Sequence, residues 1–358
     1  MYQQRIDRVL AEMEQMGLTQ MIVSDPRSIW YLSGIDNEPY ERLYAMYLRR
    51  GETPVLFVNR LFNIPENPFR EVWHTDTDRP LEQIAETVDT ASPLGIDKEW
   101  PARFLIPLME MCPGMAVKVA SDCVDNCRAR KDETERELMR AASRINDAVI
   151  EKAAAFAKPG MTERQVAEFI NGEYAKAGCS SPSFTTIVSF GANAADPHHE
   201  PDDTVLREGE CMLIDMGCRK DHYCSDMTRV YICGEPADPD FLKVHDLVRR
   251  ANEAAEALIR PGVALKDLDA AARDLITAEG YGEQFTHRLG HFIGQTDHEK
   301  GDVSAVTPLV AEPGMIFSIE PGVYLPGRFG VRIEDLVLVT EEGCEILNRV
   351  DKHCRTVG

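Results

Sequence analysis

Apolar residues recur along this chain with two periods, and the change in their mixture divides it. In "MYQQRIDRVLAEMEQMGL", Ile6, Val9, Leu10, Met13 and Met16 share one helical face with charges between them, which predicts an amphipathic surface helix. Short β-rich runs follow at "QMIVS" (20–24), "PVLFV" (54–58), "LGID" (94–97) and "VKVAS" (117–121), with helical stretches among them. That alternation predicts a small α/β domain over residues 1–125. With "ARKDETERELMRAASRINDAVIEKAAAFAKPG" a long helix begins and the pattern changes for good, so residues 126–358 read as a second domain. The boundary falls near Asp122–Arg130.

The second domain carries a duplication. "KPGMTERQVAEFINGEYAKAG" (158–178) and "RPGVALKDLDAAARDLITAEG" (260–280) share a basic-Pro-Gly start, a helical apolar pattern and a terminal glycine. A long helical stretch precedes each, 134–157 and 240–259, and a similar strand follows each. "EGECMLIDMG" (208–217) resembles "EPGMIFSIEPG" (312–322), with Asp215 late in one and Glu320 late in the other. A further strand then follows in both copies, "CSDMTRVYIC" with Asp226 and "GVRIEDLVLV" with Glu334. A repeat this long is no solenoid unit. It predicts two α/β halves about a pseudo-twofold axis, each sending an acidic strand pair to the middle.

Composition narrows the function without naming it. The 358 residues are 44% hydrophobic, enough for full cores, and the net charge is −21. Such an acidic balance disfavours nucleic acid and anionic membranes as partners. No run of eighteen apolar residues predicts a membrane span, and the amino-terminal helix lacks a signal peptide's apolar core, so a cytoplasmic location is expected. The ten cysteines are scattered without a CxxC pair and read as reduced thiols.

Asp215, Asp226, Glu320 and Glu334 are expected inside strands otherwise built of Met, Leu, Ile, Val and Phe. Unpaired acids there are costly. Any one of them could be a salt-bridge partner of Arg229, Arg332 or Lys220, but four matched across a repeat point elsewhere. Separations of 11 and 14 residues suit antiparallel neighbours joined by a turn, which gathers each pair. At a few Å, such charges repel by several kcal/mol even at an effective dielectric of about 20. Two divalent cations would balance them. "HRLGHFIGQTDHE" (287–299) adds imidazole, and an oxygen-rich set with one imidazole suits Mn, Co or Fe as well as Zn. Two such ions about 3.5–4 Å apart can activate water and polarise a carbonyl, which predicts amide hydrolysis.

Five stretches together resemble the pita-bread metallopeptidases, which include proline dipeptidase (prolidase), aminopeptidase P, methionine aminopeptidase and the related creatinase. They are "SFGANAADPHHEP" (189–201), "LIDMGCRKDHYCSDMTRVY" (213–231), "HRLGHFIGQTDHE" (287–299), "FSIEPGVYLPG" (317–327) and "GVRIEDLVLVTEEG" (330–343). "IWYLSG" (29–34) is similar to the amino-terminal domain of the proline-specific members and creatinase. The resemblance implies a small α/β domain followed by a pita-bread catalytic domain.

It also implies roles. Asp215, Asp226, His291, Glu320 and Glu334 would hold two divalent ions, Mn or Co first with Zn or Fe also suited, Asp226 and Glu334 bridging them. Glu320 would shuttle protons, while His198 and His298 would bind substrate and stabilise the oxyanion. His198 is preferred over His199 because the family motif is Pro-His. Arg332 would buttress the ligand carboxylates, and Tyr324 either borders the substrate or packs in the core. His287 is expected to be supporting or structural, and His222 with Tyr223 to be turn and packing residues.

The match departs at Phe292, where the family usually has glycine and where a side chain could narrow the cleft. Several proline dipeptidases carry a carboxylate-associated arginine just after "HE", whereas this chain has Lys300 and Asp302. The implied activity is a dinuclear-metal exopeptidase acting on Xaa-Pro dipeptides, as a homodimer. The alternatives are an Xaa-Pro aminopeptidase on longer peptides, and a creatinase-like amidinohydrolase or a non-catalytic member of the fold.

Overall fold

A computed structural model describes residues 2–358 and resolves two compact units, Met1–Arg128 and Ala129–Gly358. The first is built on a six-stranded sheet, in the order Arg70–His74, Val55–Asn59, Ala45–Arg49, Gln20–Val23, Leu94–Ile96, Val117–Val119. Its inner strands are apolar on both faces because helices cover both, while the edge strands Arg70–His74 and Val117–Val119 are partly exposed. Alternation sorts the side chains: Met21, Val23, Met46 and Leu48 pack with Ile6, Val9 and Met13 of the Tyr2–Gln15 helix. Ile22, Ala45, Tyr47 and Phe57 point the other way, onto Ile84 and Leu108. Of the helix positions named above, Leu10 is half-buried and Met16 exposed, so the apolar stripe is narrower than its pattern. Strands Ala45–Arg49 and Arg70–His74 lie outside the four runs read from the sequence.

The second unit repeats one scheme twice. Helices Glu133–Phe156 and Glu163–Lys176 precede strands Ile187–Phe190, Cys211–Met216 and Met227–Cys233. Helices Phe241–Glu256 and Leu265–Ala278 precede Gly290–Phe292, Ile316–Ile319 and Asp335–Val339. The first set of strands forms a four-stranded sheet edged by Thr356–Val357. The second forms a five-stranded sheet edged by Glu299–Val303 and Cys344–Ile346.

Small devices recur at equivalent positions. Gly160 (φ 91°) and Gly262 (φ 87°) make the left-handed turn that follows the basic-Pro start, which only glycine adopts without strain. Residues just beyond them bridge to the strand side in both copies, Thr162 to Val205 and Ala264 to Val310. The copies differ in capping: Thr162 and Gln165 form a capping box, whereas Ala264 supplies no cap.

The long helices are tied to the acidic strands by matched asparagines. Asn146 donates through Nδ2 to the Met216 carbonyl at 2.9 Å, and Asn252 to the Ile319 carbonyl at 2.8 Å and the Ile333 carbonyl at 3.3 Å. Both are fully buried, and both carbonyls adjoin an acid, Asp215 or Glu320. Met212, Ile214 and Met216 face the first helix pair, while Cys211 and Leu213 face the second half. By the same alternation Asp215 lies on the Leu213 face.

No disulfide joins any of the ten cysteines among the described residues. No described helix is long and apolar enough to cross a membrane. Replacing Asn252 by alanine leaves two buried carbonyls and Lys352, which donates to Asn252 Oδ1 at 2.6 Å, short of a partner. We expect Asn252→Ala to cost about 2–3 kcal/mol, read by urea unfolding.

Candidate metal centre

The antiparallel ladders decide which acids meet. Thr228 lies opposite Asp215, which puts Asp226, two residues earlier, beside the end of the Cys211–Met216 strand. In the other half Ile319 lies opposite Asp335, so Glu320 and Glu334 leave their strands at the same end. Only Asp215 is inside a strand; Asp226, Glu320 and Glu334 stand just outside one. The continuous strand expected over 330–339 is broken at Ile333–Glu334, because Phe329–Arg332 pairs with Gly322–Leu325 and Asp335–Val339 with Ile316–Ile319. At that break Glu334 N–H donates to the Thr228 carbonyl at 3.1 Å, and Arg229 returns a bond to the Glu334 carbonyl at 2.7 Å. The two halves are sewn together at the acids themselves.

His291 arrives on Gly290–Phe292, where the ladder shifts register between His291 and Phe292. The ligand-type atoms of Asp226, His291 and Glu334 lie within 4.8 Å of one another. His291 Nε2 is 3.6 Å from both Asp226 Oδ2 and Glu320 Oε1, beyond the usual N–H···O range of about 2.7–3.2 Å. Its Nδ1 faces the Phe292 carbonyl at 3.2 Å, which assigns the proton to Nδ1 and leaves the Nε2 lone pair toward the acids. Ser318 Oγ accepts from the His291 N–H at 3.0 Å and donates to Glu320 Oε1 at 3.1 Å, fixing both.

One guanidinium reaches two of the four carboxylates, Asp215 directly and Glu334 through a hydroxyl. Arg332 donates through Nη2 to Asp215 Oδ2 at 2.6 Å, through Nε to Thr228 Oγ1 at 3.2 Å and through Nη1 to the Tyr324 hydroxyl at 2.9 Å. Thr228 Oγ1 passes its own proton to Glu334 Oε2 at 2.7 Å. Tyr324 donates to His287 Nε2 at 2.8 Å, and His287 Nδ1 donates to the Arg288 carbonyl at 2.7 Å. The buried atoms Asp215 Oδ1 and Asp226 Oδ1 have no protein partner among the described residues. Orphaned carboxylate oxygens facing an imidazole lone pair fit cations better than any hydrogen-bonding scheme.

The electrostatics agree. Burial, with the neighbouring carboxylates Glu334, Asp215 and Glu320 adding to it, pushes Asp226 well above the usual carboxylate range. Burial does the same to Glu334, with Glu320 and Asp215 adding, and raises Glu320 to about 7. Burial lowers His291 to about 3, keeping the imidazole neutral, the form that ligates metal.

These groups line a cavity of ≈ 680 Å³ together with His198, His298, His287, Arg288 and Arg332. His198 is exposed on the cavity wall, whereas His199 Nε2 is held at 2.7 Å by Glu163 Oε2. His298 lies against His291, ring centroids 4.1 Å apart. Phe292 does not narrow the cleft: it is fully buried, packs on Phe317 and is no part of the cavity wall. Tyr324 is also buried behind the wall, reaching the site through Arg332. Lys300 and Asp302 lie on the Glu299–Val303 edge strand, outside the lining. His222 sits in a turn at φ 72°, and Tyr223 is buried with its hydroxyl on Glu135 at 2.9 Å.

Several contributors are absent from the motif reading. Glu163, fully buried at the start of its helix, accepts from the Phe190 and Asp202 N–H groups, from Asn193 and from His199. It thereby clasps the loop that carries His198. Glu299 accepts from the Gln295 N–H at 3.0 Å and pairs with buried Lys131 at 3.1 Å, holding the loop of His298.

Residues 137–341 match the sequence model of metallopeptidase family M24. The chain belongs to that family. Residues 5–130 match the creatinase/prolidase amino-terminal domain. An uncharacterized peptidase of Staphylococcus aureus (strain MSSA476) is 35% identical over 97% of this chain and 99% of its own length. Among solved structures, the dipeptidase PepE of Mycobacterium ulcerans is 34% identical with a TM-score of 0.93, covering 99% of this chain and 98% of that one. A recombinant prolidase of Thermococcus sibiricus is 29% identical with a TM-score of 0.91, covering 100% and 99%. This M24 chain is therefore a metal-dependent peptidase whose sequence carries a creatinase-like amino-terminal domain followed by a pita-bread catalytic domain.

Thr228 joins Arg332 to Glu334 through one hydroxyl. Thr228→Val keeps the shape and removes both bonds, so divalent-metal affinity should fall about 10- to 100-fold with circular dichroism unchanged. Calorimetric titration with Mn²⁺ checks it.

Proposed function

We propose that this M24 peptidase is a dinuclear-metal exopeptidase that hydrolyses the Xaa-Pro bond of dipeptides, acting as a cytoplasmic homodimer. The observation that carries the reading is the convergence of four carboxylates and the lone pair of His291 on one cavity, with the Arg332 guanidinium bonded to Asp215. Asp215, Asp226, His291, Glu320 and Glu334 are the residues that would hold the ions. Mn or Co suits the oxygen-rich set first, and Zn or Fe also fits. Bound there, the ions supply Lewis acidity and an acidified water.

The chain's own groups account for the rest. Glu320 takes the proton of the attacking water and returns it to the leaving nitrogen, its carboxylate held in place by the Ser318 hydroxyl. His298 and His198 line the same wall and donate to the carbonyl oxygen as it gains charge. Proline's nitrogen carries no N–H in the substrate, so no acceptor for one is needed. Similarity to a dipeptidase and a prolidase supports the substrate class, and Lys300 and Asp302 lie outside the cavity.

Chelated protein should be inert on Ala-Pro and regain hydrolysis with Mn²⁺ or Co²⁺. Metal-replete protein inert on both Xaa-Pro and Xaa-Pro-Xaa would overturn the reading, and faster cleavage of Xaa-Pro-Xaa would make it an aminopeptidase on longer peptides. Glu320→Gln should lower kcat by about two to four orders of magnitude with the fold retained, the range of a general acid–base. Undiminished turnover would remove Glu320 from that role.

A further inference from the structure

The cavity wall contains two guanidinium groups, and they differ in one respect. All three nitrogens of Arg332 donate to protein acceptors: Asp215, Thr228 and Tyr324. Arg288 lines the same cavity, is exposed, and its side chain has no hydrogen-bond or ion-pair partner among the described residues. An arginine beside four acids that pairs with none of them is a donor fork left for something else. The histidines do not compete for that role. His287 is engaged on both ring nitrogens, by the Tyr324 hydroxyl and the Arg288 carbonyl, and His298 packs against His291.

The backbone beneath Arg288 is rigid. Arg273 on the Leu265–Ala278 helix donates to the Phe285 carbonyl at 3.0 Å and to the His287 carbonyl at 2.8 Å, and its guanidinium stacks 4.0 Å above the Phe285 ring. Asp269 on the same helix accepts from the Leu289 N–H at 3.2 Å, and the Arg288 carbonyl itself accepts from His287. The segment is thus pinned on both sides of the free side chain. Arg288 shares one cavity wall with His291, His298 and Glu320.

We propose that Arg288 binds the carboxy-terminal carboxylate of a dipeptide, making this site a dipeptidase by charge. The proposal deepens the exopeptidase reading and rests on it. In a dipeptide the carboxylate lies one residue beyond the scissile carbonyl, a Cα–Cα step of about 3.8 Å. A carboxylate there is favoured where a free guanidinium fork meets it, and Arg288 is the uncommitted cation in the lining. A longer peptide places an amide at that position and leaves the fork without a charged partner.

The test compares Ala-Pro with its carboxy-terminal amide and with Ala-Pro-Ala, on Mn²⁺-loaded wild type, Arg288→Gln and Arg288→Lys. Wild type should favour the free acid over both others about 10- to 100-fold in KM, the strength of a charged hydrogen bond. Arg288→Gln should raise the KM for Ala-Pro to that of the amide with kcat changed less than about threefold, and Arg288→Lys should fall between. Equal losses on acid and amide, or no loss, overturn the proposal. Wild type inert on every Xaa-Pro substrate defeats the exopeptidase reading instead. Calorimetric titration with Ala-Pro and its amide then decides the point without turnover: tighter binding of the acid in wild type alone sustains Arg288 as the anchor, and equal binding removes it.

Discussion

Four carboxylates are gathered where only one guanidinium meets them, and much of the second unit is arranged to make that tolerable. Arg332 neutralises Asp215 directly and reaches Glu334 through the Thr228 hydroxyl. Asp226 has neither, and burial with three like charges keeps its carboxyl protonated far above the ordinary range when no cation is bound. A hydrophobic protein interior would simply eject such a group. It stays because the backbone of two interlocked halves leaves it no alternative position.

That interlock runs deeper than the acids. Behind Glu334, Asp335 is held by Arg229 and Lys352, each at 2.6 Å, and Lys352 also reaches Glu256 and Asn252 at 2.6 Å. The cations of this rear layer come from strand Met227–Cys233 of the first half and from the chain's final segment. Removing one partner of such buried pairs is strongly unfavourable, typically by about 3–5 kcal/mol. The acids in front are therefore backed by a charge layer that fixes the strand from which Glu334 departs.

Much of this was visible in the chain. The duplication was legible because glycines and basic-Pro starts recur at a fixed offset, and the two copies do form equivalent helix pairs and ladders. The gathering of Asp215, Asp226, Glu320 and Glu334 was legible because spacing and antiparallel pairing together fix which strand ends meet, whereas His291 was singled out by the resemblance of its motif. What escaped was contact that has no local signature. Thr228 reads as an ordinary strand residue, Glu163 as a helix-start acid and Lys131 as one charge among many, and each acquires its role only from partners far along the chain. Of the two unread strands of the first unit, Arg70–His74 begins with the charged Arg70 and Glu71, whereas Ala45–Arg49 is apolar up to its terminal arginine and was missed without such a reason. The strand break at Glu334 was hidden for the opposite reason: its sequence looks continuous, and only the competition between two partner strands divides it.

The register shift between His291 and Phe292 separates neighbours that the sequence makes adjacent. One side chain serves the cavity, while the next is locked among Phe317 and the close backbone of Gly301. A single peptide unit thus acts as a partition between chemistry and packing. The size of residue 292 becomes a coordinate along which the interior can drift, its volume traded against residues 301 and 317, while the imidazole one position earlier keeps its aim.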